Sequence, residues 1–173
     1  PPLRPGSYFV IVRPDIFNQV YEQEGEAKNF SSSADTLSLA VDEIQLGVPL
    51  TTALGPGEER LFSLTTGGGE TVRLQVTSPA QGGANELFVR HDDVPNGILF
   101  DVAGTEPLTA DQQLLIPSTE PGEYFVLLRG VSQPQPGAPL TLLAEALPFQ
   151  ITEVTPDTGG DARWVTTTIK GAR

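Results

Sequence analysis

The residues best equipped for chemistry are Asp92, Asp93, Asn96 and Asp101, four hard oxygen ligands gathered around the turn Pro95, Asn96 and Gly97. Calcium takes about six to eight oxygens from carboxylates, amides and carbonyls, so this cluster is the candidate metal site and Ca2+ the candidate cofactor. Its spacing is neither that of an EF-hand nor that of a glycine-rich nonapeptide repeat. Solvated loop acids are the competing explanation in so acidic a chain. A second cluster, Glu22, Glu24 and Glu26, would place three carboxylates on one side of an extended segment, and paired carboxylates hydrolyse glycosides. Only Tyr21 offers a nearby aromatic platform for a sugar, so a repulsive loop that guards a strand edge is the simpler reading.

Nucleophilic catalysis needs an activated Ser, Thr or Cys beside a base. His91 is the only histidine, in the run Arg90, His91, Asp92 and Asp93; the chain has no cysteine and no G-x-S-x-G stretch. His91 is expected as a surface-loop residue at a strand end, and the chain is not expected to be an enzyme. The lone tryptophan, Trp164, is expected to pack in a core or at a domain interface, with Phe149 stiffening the same junction.

These residues must be carried by strands. Eighteen glycines and 16 prolines break the chain too often for helices of ordinary length. The phrase Pro5-Gly6-Ser7-Tyr8-Phe9-Val10-Ile11-Val12-Arg13 returns 116 residues later as Pro121-Gly122-Glu123-Tyr124-Phe125-Val126-Leu127-Leu128-Arg129, with 6 of 9 positions identical. A Pro-Gly turn feeding an aromatic and aliphatic run starts a strand. Residues 7–13 alternate with both faces largely apolar and predict one interior strand, followed by a polar hairpin connection from Asp15 to Ser33 and a return strand through Leu37, Leu39 and Val41. A linker is expected from Asp42 to Pro49. Beyond it, strands are predicted at Arg60–Leu64, Thr71–Thr77, Glu86–Arg90, Gln113–Ile116, Glu123–Arg129 and Leu140–Ala146, separated by glycine- and proline-rich turns. A last hairpin is predicted from Ile151 and Val154 through Gly159 and Gly160 to Val165, Thr167 and Ile169.

The fold class is therefore all-β, an antiparallel β-sandwich of jelly-roll or Ig-like type flanked by partial β-modules: residues 1–47, 48–148 and 149–173. A lone hairpin buries too little apolar area to stand alone, so the flanking pieces belong to larger modules and the chain is expected to be an excerpt of a longer polypeptide.

The net charge is −12, and residues 48–148 alone carry 12 acidic against 4 basic side chains. Such a surface repels phosphate, which argues against nucleic acid and anionic membranes as partners. No apolar run approaches the roughly 20 residues of a membrane span, and the first residues lack the order of a signal peptide. The lack of cysteine and methionine and the two lysines, Lys28 and Lys170, are compatible with an extracellular or cell-surface location.

The segments LRPGSYFVIVRPD and VYEQEGEAKNF resemble the closing strands of a CARDB domain, an Ig-like bacterial adhesion-type module; Asp15, Glu22, Glu26 and Asn29 occupy comparable places, and Lys28 departs from the usual paired asparagines. Residues 48–148 resemble a bacterial pre-peptidase C-terminal (PPC) domain through GPGEERLFSL, ETVRLQVTS, ANELFVRHDDVP and STEPGEYFVLLRG. The run FQITEVTPDTGGDARWVTTTIKGA is similar to the opening of an IPT/TIG domain. Together the resemblances imply a repeat-built, secreted or cell-surface bacterial protein, and no activity by themselves.

Three functions remain open. The first is a non-catalytic structural or adhesive segment whose partners are neighbouring β-modules. The second is a substrate-binding accessory module of a secreted hydrolase, calcium-dependent and directed at a protein ligand, since no aromatic strip suits a polysaccharide. The third is a fibre subunit whose open edges are completed by strands of another copy.

Overall fold

The computed structural model describes residues 3–14, 16–17, 19, 30–79, 82–134, 137–148, 150–161 and 164–172. Tyr21, Glu22, Glu24, Glu26, Lys28, Asn29, Asp15 and Phe149 lie outside the described residues. All regular structure among the described residues is β-strand. The chain divides into two compact units, one of residues Leu3–Val41 and one that begins at Asp42 and runs to the C-terminal hairpin.

In the first unit, β1 (Gly6–Tyr8) pairs antiparallel with β4 (Leu37–Leu39), and β2 (Ile11–Val12) pairs with β3 (Ser31–Ser32). The single interior strand expected over residues 7–13 is thus two short strands interrupted at Phe9 and Val10. Phe9, Val10, Ile11 and Val12 are each more than half exposed, so alternation here marks apolar faces that none of the unit's described residues buries.

The second unit is built around a sandwich. One sheet has the order β10-β9-β12-β7-β5, from Val102–Ala103, Ala84–His91, Gly122–Ser132, Glu59–Thr66 and Asp42–Glu43; the other has β11-β8-β13-β6, from Gln112–Ile116, Thr71–Thr77, Ala138–Leu147 and Leu50–Leu54. Every pairing is antiparallel except that of β5 with β7. One face of each sheet supplies the core: Phe62, Leu64, Leu87, Val89, Tyr124, Val126 and Leu128 meet Val72, Leu74, Val76, Leu114, Leu140 and Leu142. Period-2 alternation puts these side chains on one side of each strand, and burying that side against the partner sheet is what holds the two layers together.

The segment expected as a linker is part of this sandwich. β5 lies beside Phe62 and Ser63, the Ile44 amide donates to the Ser63 carbonyl at 2.7 Å, and the Ile44 side chain, 1% exposed, belongs to the core. Further along, Leu46 bridges to Ala144 and the Gly47 amide donates to the Ala144 carbonyl at 2.7 Å, so the segment crosses from one sheet to the other.

The repeated phrase has a physical meaning that its sequence alone did not state. Tyr8 donates its hydroxyl to the Arg4 carbonyl at 2.7 Å, and the Tyr124 hydroxyl accepts the Glu120 amide at 2.8 Å, each tyrosine tying back to the backbone four residues upstream across its Pro-Gly turn. This is the logic of a tyrosine corner, in which a ring hydroxyl pins the entry to a strand. Gly122 is required there: its φ is +139°, and a Cβ would stand 2.8 Å from Nε2 of His91. Tyr124→Phe is expected to cost about 1 kcal/mol in urea unfolding, because the ring is buried and one hydrogen bond is lost. Tyr8→Phe, at an exposed bond, is expected to leave stability within error; equal losses at both positions would contradict this account.

The C-terminal segment forms the predicted hairpin, pairing β14 (Gln150–Thr155) with β15 (Thr168–Ala172); the return strand starts later than expected and leaves Val165 and Thr167 outside it. Lys170 donates to Glu153 at 2.8 Å and Thr155 donates to its other oxygen at 2.9 Å. Lys170 first, and Thr155 second, hold the Glu153 carboxyl below the ordinary carboxylate range. Since the folded value is the lower one, whatever this pair contributes is present above the ordinary range and lost as pH falls through the lowered value. Trp164 is fully exposed and lies in the connection outside the β14–β15 pairing, so it does not pack in a core as one expectation had it.

Candidate functional site

The loop of residues 92–101 joins β9 to β10 and carries all four candidate ligands. Its geometry begins at Asp92, whose φ of 54° turns the chain sharply out of β9, a conformation that Asp tolerates better than most residues. The Asp92 amide donates to the Glu123 carbonyl at 2.8 Å, so the turn is anchored on β12.

Each candidate ligand builds the loop. Asp93 accepts Arg90 on one oxygen at 2.8 Å and the Val94 amide on the other at 2.9 Å. Asn96 Oδ1 accepts two amides, those of Ile98 and Leu99, both at 2.9 Å, while the Asn96 amide donates to the Leu99 carbonyl at 3.0 Å. Asp101 accepts the His91 amide at 2.8 Å and returns its own amide to the Val89 carbonyl at 2.8 Å, which closes the ladder where β10 begins. Asp92 approaches Nδ1 of His91 at 3.7 Å. Among the described residues no group of three or more His, Cys, Asp or Glu is close enough together to hold a metal ion. The oxygens of Asp93, Asn96 and Asp101 face backbone amides and a guanidinium, the role loop carboxylates and amides take in turns, while the Asp92 carboxylate is largely exposed. Whether the loop also takes calcium is read from the melting temperature in calcium and in EDTA: a rise with calcium supports the ion site, and equal temperatures dismiss it.

His91 is not a loop residue. It closes β9 with its side chain 20% exposed and its ring 4.6 Å from that of Tyr124. Nδ1 stands 3.9 Å from Glu120, and Nε2, turned toward Gly122, has no hydrogen-bond partner among the described residues. The strand alternation that points Leu87 and Val89 into the core points this ring toward the start of β12, where it packs against Tyr124.

Sequence reasoning missed the outer face of the five-stranded sheet. Phe88, Phe125 and Leu127 alternate with core residues and so lie on the opposite face, yet they too are buried. Phe100, itself 39% exposed, returns from the loop to rest 5.2 Å from Phe88, and Val94 of the same loop is buried. Beside them the register sets Glu59, Arg129 and Glu86 in one row across β7, β12 and β9. Arg129 holds Glu86 through two nitrogens, approaches Glu59 at 3.9 Å and stacks over Phe88 at 5.7 Å. The signal was present: β9 and β12 are apolar at consecutive positions, as strands covered on both sides are. What remains uncovered is the tip itself, with Ile98 88% and Leu99 56% exposed.

At the other end of β9 a polar hub replaces a turn. Asn85 has no exposed surface; it donates to the Ala110 carbonyl at 2.6 Å, accepts Gln133 at 2.5 Å, and its amide donates to the Thr109 carbonyl at 2.8 Å. Gln112, also buried, donates to Glu106 and Thr109. Next to this hub, Ser78, Gly82, Gly83, Leu108 and Asp111 line an open cavity of about 410 Å³.

The chain matches no family model and none of the curated proteins. Among solved structures it is similar to the pre-peptidase C-terminal domain of a collagenase from Bacillus anthracis, at 13% identity and a TM-score of 0.49, over 63% of this chain and 98% of that one. A likeness of that degree carries no argument about activity.

Proposed function

We propose that the chain is a non-catalytic β-module segment of a secreted or cell-surface bacterial protein, with a PPC-like sandwich between CARDB-like and IPT/TIG-like strands. The observation that carries the reading is the use of the polar residues around the loop of residues 92–101: Asp93, Asn96 and Asp101 cap amides, Arg90 and Arg129 pair with carboxylates, and the one histidine packs against Tyr124. Chemistry-bearing side chains are spent on building a loop that displays Ile98 and Leu99. The purified chain is expected to turn over no peptide, ester or glycoside substrate. Turnover that His91→Ala abolishes would overturn this reading.

The exposed tip favours a second reading, in which the module binds a protein ligand for a hydrolase elsewhere in the same polypeptide. Retention on insoluble collagen, lost in an Ile98→Ser, Leu99→Ser double variant, supports it; equal retention by both proteins dismisses the tip as the contact. The apolar strands of residues 3–41 invite completion by a neighbouring module of the same chain or of another copy, and a concentration-independent monomer mass would exclude the latter.

A further inference from the structure

The loop of residues 92–101 contains the chain's one Asn-Gly dipeptide, Asn96-Gly97. The hydrogen bonds around it are distributed as an intramolecular acyl transfer requires. The carbonyl oxygen of the Asn96 side chain receives two amides, from Ile98 and Leu99, both at 2.9 Å. Among the described residues neither the Asn96 side-chain nitrogen nor the Gly97 amide makes a hydrogen bond. The acceptor oxygen is therefore polarised by two donors, the leaving nitrogen is free, and the attacking nitrogen is free and unhindered by any Cβ.

We propose that Asn96 is a site of self-catalysed deamidation. The Gly97 nitrogen loses its proton to hydroxide and forms a bond with Cγ of Asn96. The Ile98 and Leu99 amides hold the resulting oxyanion, the Cγ–Nδ2 bond breaks, and ammonia leaves with a proton from water. The product is a five-membered succinimide. Water then opens it at Cγ to give aspartate, or at the Asn96 main-chain carbonyl to give isoaspartate; no oxidant or reductant is involved. Either product adds a negative charge beside Asp92, Asp93 and Asp101. Isoaspartate also inserts a methylene into the backbone just before Ile98 and Leu99, and so resets the exposed tip. The modification would act as a slow, irreversible change in what this loop presents, whether or not the tip binds a ligand.

The full chain is incubated at mildly alkaline pH, native and in urea, and its tryptic peptide from His91 to Arg129 is weighed over time. The proposal predicts a gain of about one dalton with isoaspartate in the native protein, at a rate equal to or above that in urea, where the two donors are absent. A native rate about tenfold or more below the rate in urea, the loss expected if the folded loop withholds rather than supplies the donors, overturns it. So does a native chain that does not convert. Gly97→Ala is the second arm. A Cβ there would sit 3.5 Å from the Arg129 guanidinium, ordinary contact, so the variant keeps the fold while crowding the nucleophile. Conversion of Gly97→Ala at the wild-type rate also overturns the proposal.

Discussion

Ile44→Ala is expected to lower the unfolding free energy of the sandwich by about 2–5 kcal/mol, the range for deleting most of a buried aliphatic side chain. Ile44 sits between Glu43 and Gln45 in a stretch that carries Asp42, Gly47 and Pro49, and nothing in that composition suggests a core residue. Its side chain is nevertheless in contact with the central cluster, held there by the bond from its amide to Ser63 and by the β5–β7 pairing. Deleting it leaves a cavity under β7, and the sandwich cannot collapse to fill it because both sheets are fixed by their own ladders. The check is the urea midpoint at unchanged slope. A loss under about 0.5 kcal/mol, as at exposed positions, would show that the segment is only draped on the module.

Asn85→Leu is expected to cost about 2–4 kcal/mol despite adding apolar volume in a buried place, because it leaves two polar groups without their partner. The Ala110 carbonyl loses its donor and Gln133 loses its acceptor. Both lie where the connections before β11 and after β12 meet the start of β9. The defect should therefore loosen that end of the module first. Amide exchange at Thr109 to Gln112 is predicted to accelerate more than exchange at Val126 to Leu128; a uniform change across the sandwich would mean that Asn85 contributes only to global stability.

These two residues also show how far the sequence could be read. The six central strands were legible because β-branched and aromatic runs alternate between glycine-rich turns; the structure leaves Thr71–Thr77 unchanged and extends the other five by one to three residues at nearly every end. β6 (Leu50–Leu54) was missed because Thr51 and Thr52 interrupt its apolar pattern, and β5 because it is two acidic residues long. Over residues 7–13 the same alternation rule overreached: the pattern was present, but no second layer among the described residues of 3–41 covers it. In the candidate site, identity was legible and partnership was not. Asp93, Asn96 and Asp101 look alike as calcium ligands or as turn caps, and only the fold decides which amides come within reach. Arg129 could not be placed between Glu59 and Glu86 before the registers of β7 and β9 against β12 were known. Asn85 gave no signal at all, since a buried asparagine is marked only by the carbonyls that surround it.

The account rests on residues 42–148 being a complete module whose polar residues serve its own fold. The most direct test is urea unfolding of that segment expressed alone, followed by circular dichroism. The account predicts a single cooperative transition with the midpoint of the main transition of the whole chain. A segment that unfolds without cooperativity, or only at far lower urea, would show that the flanking strands are part of the same core and would contradict it.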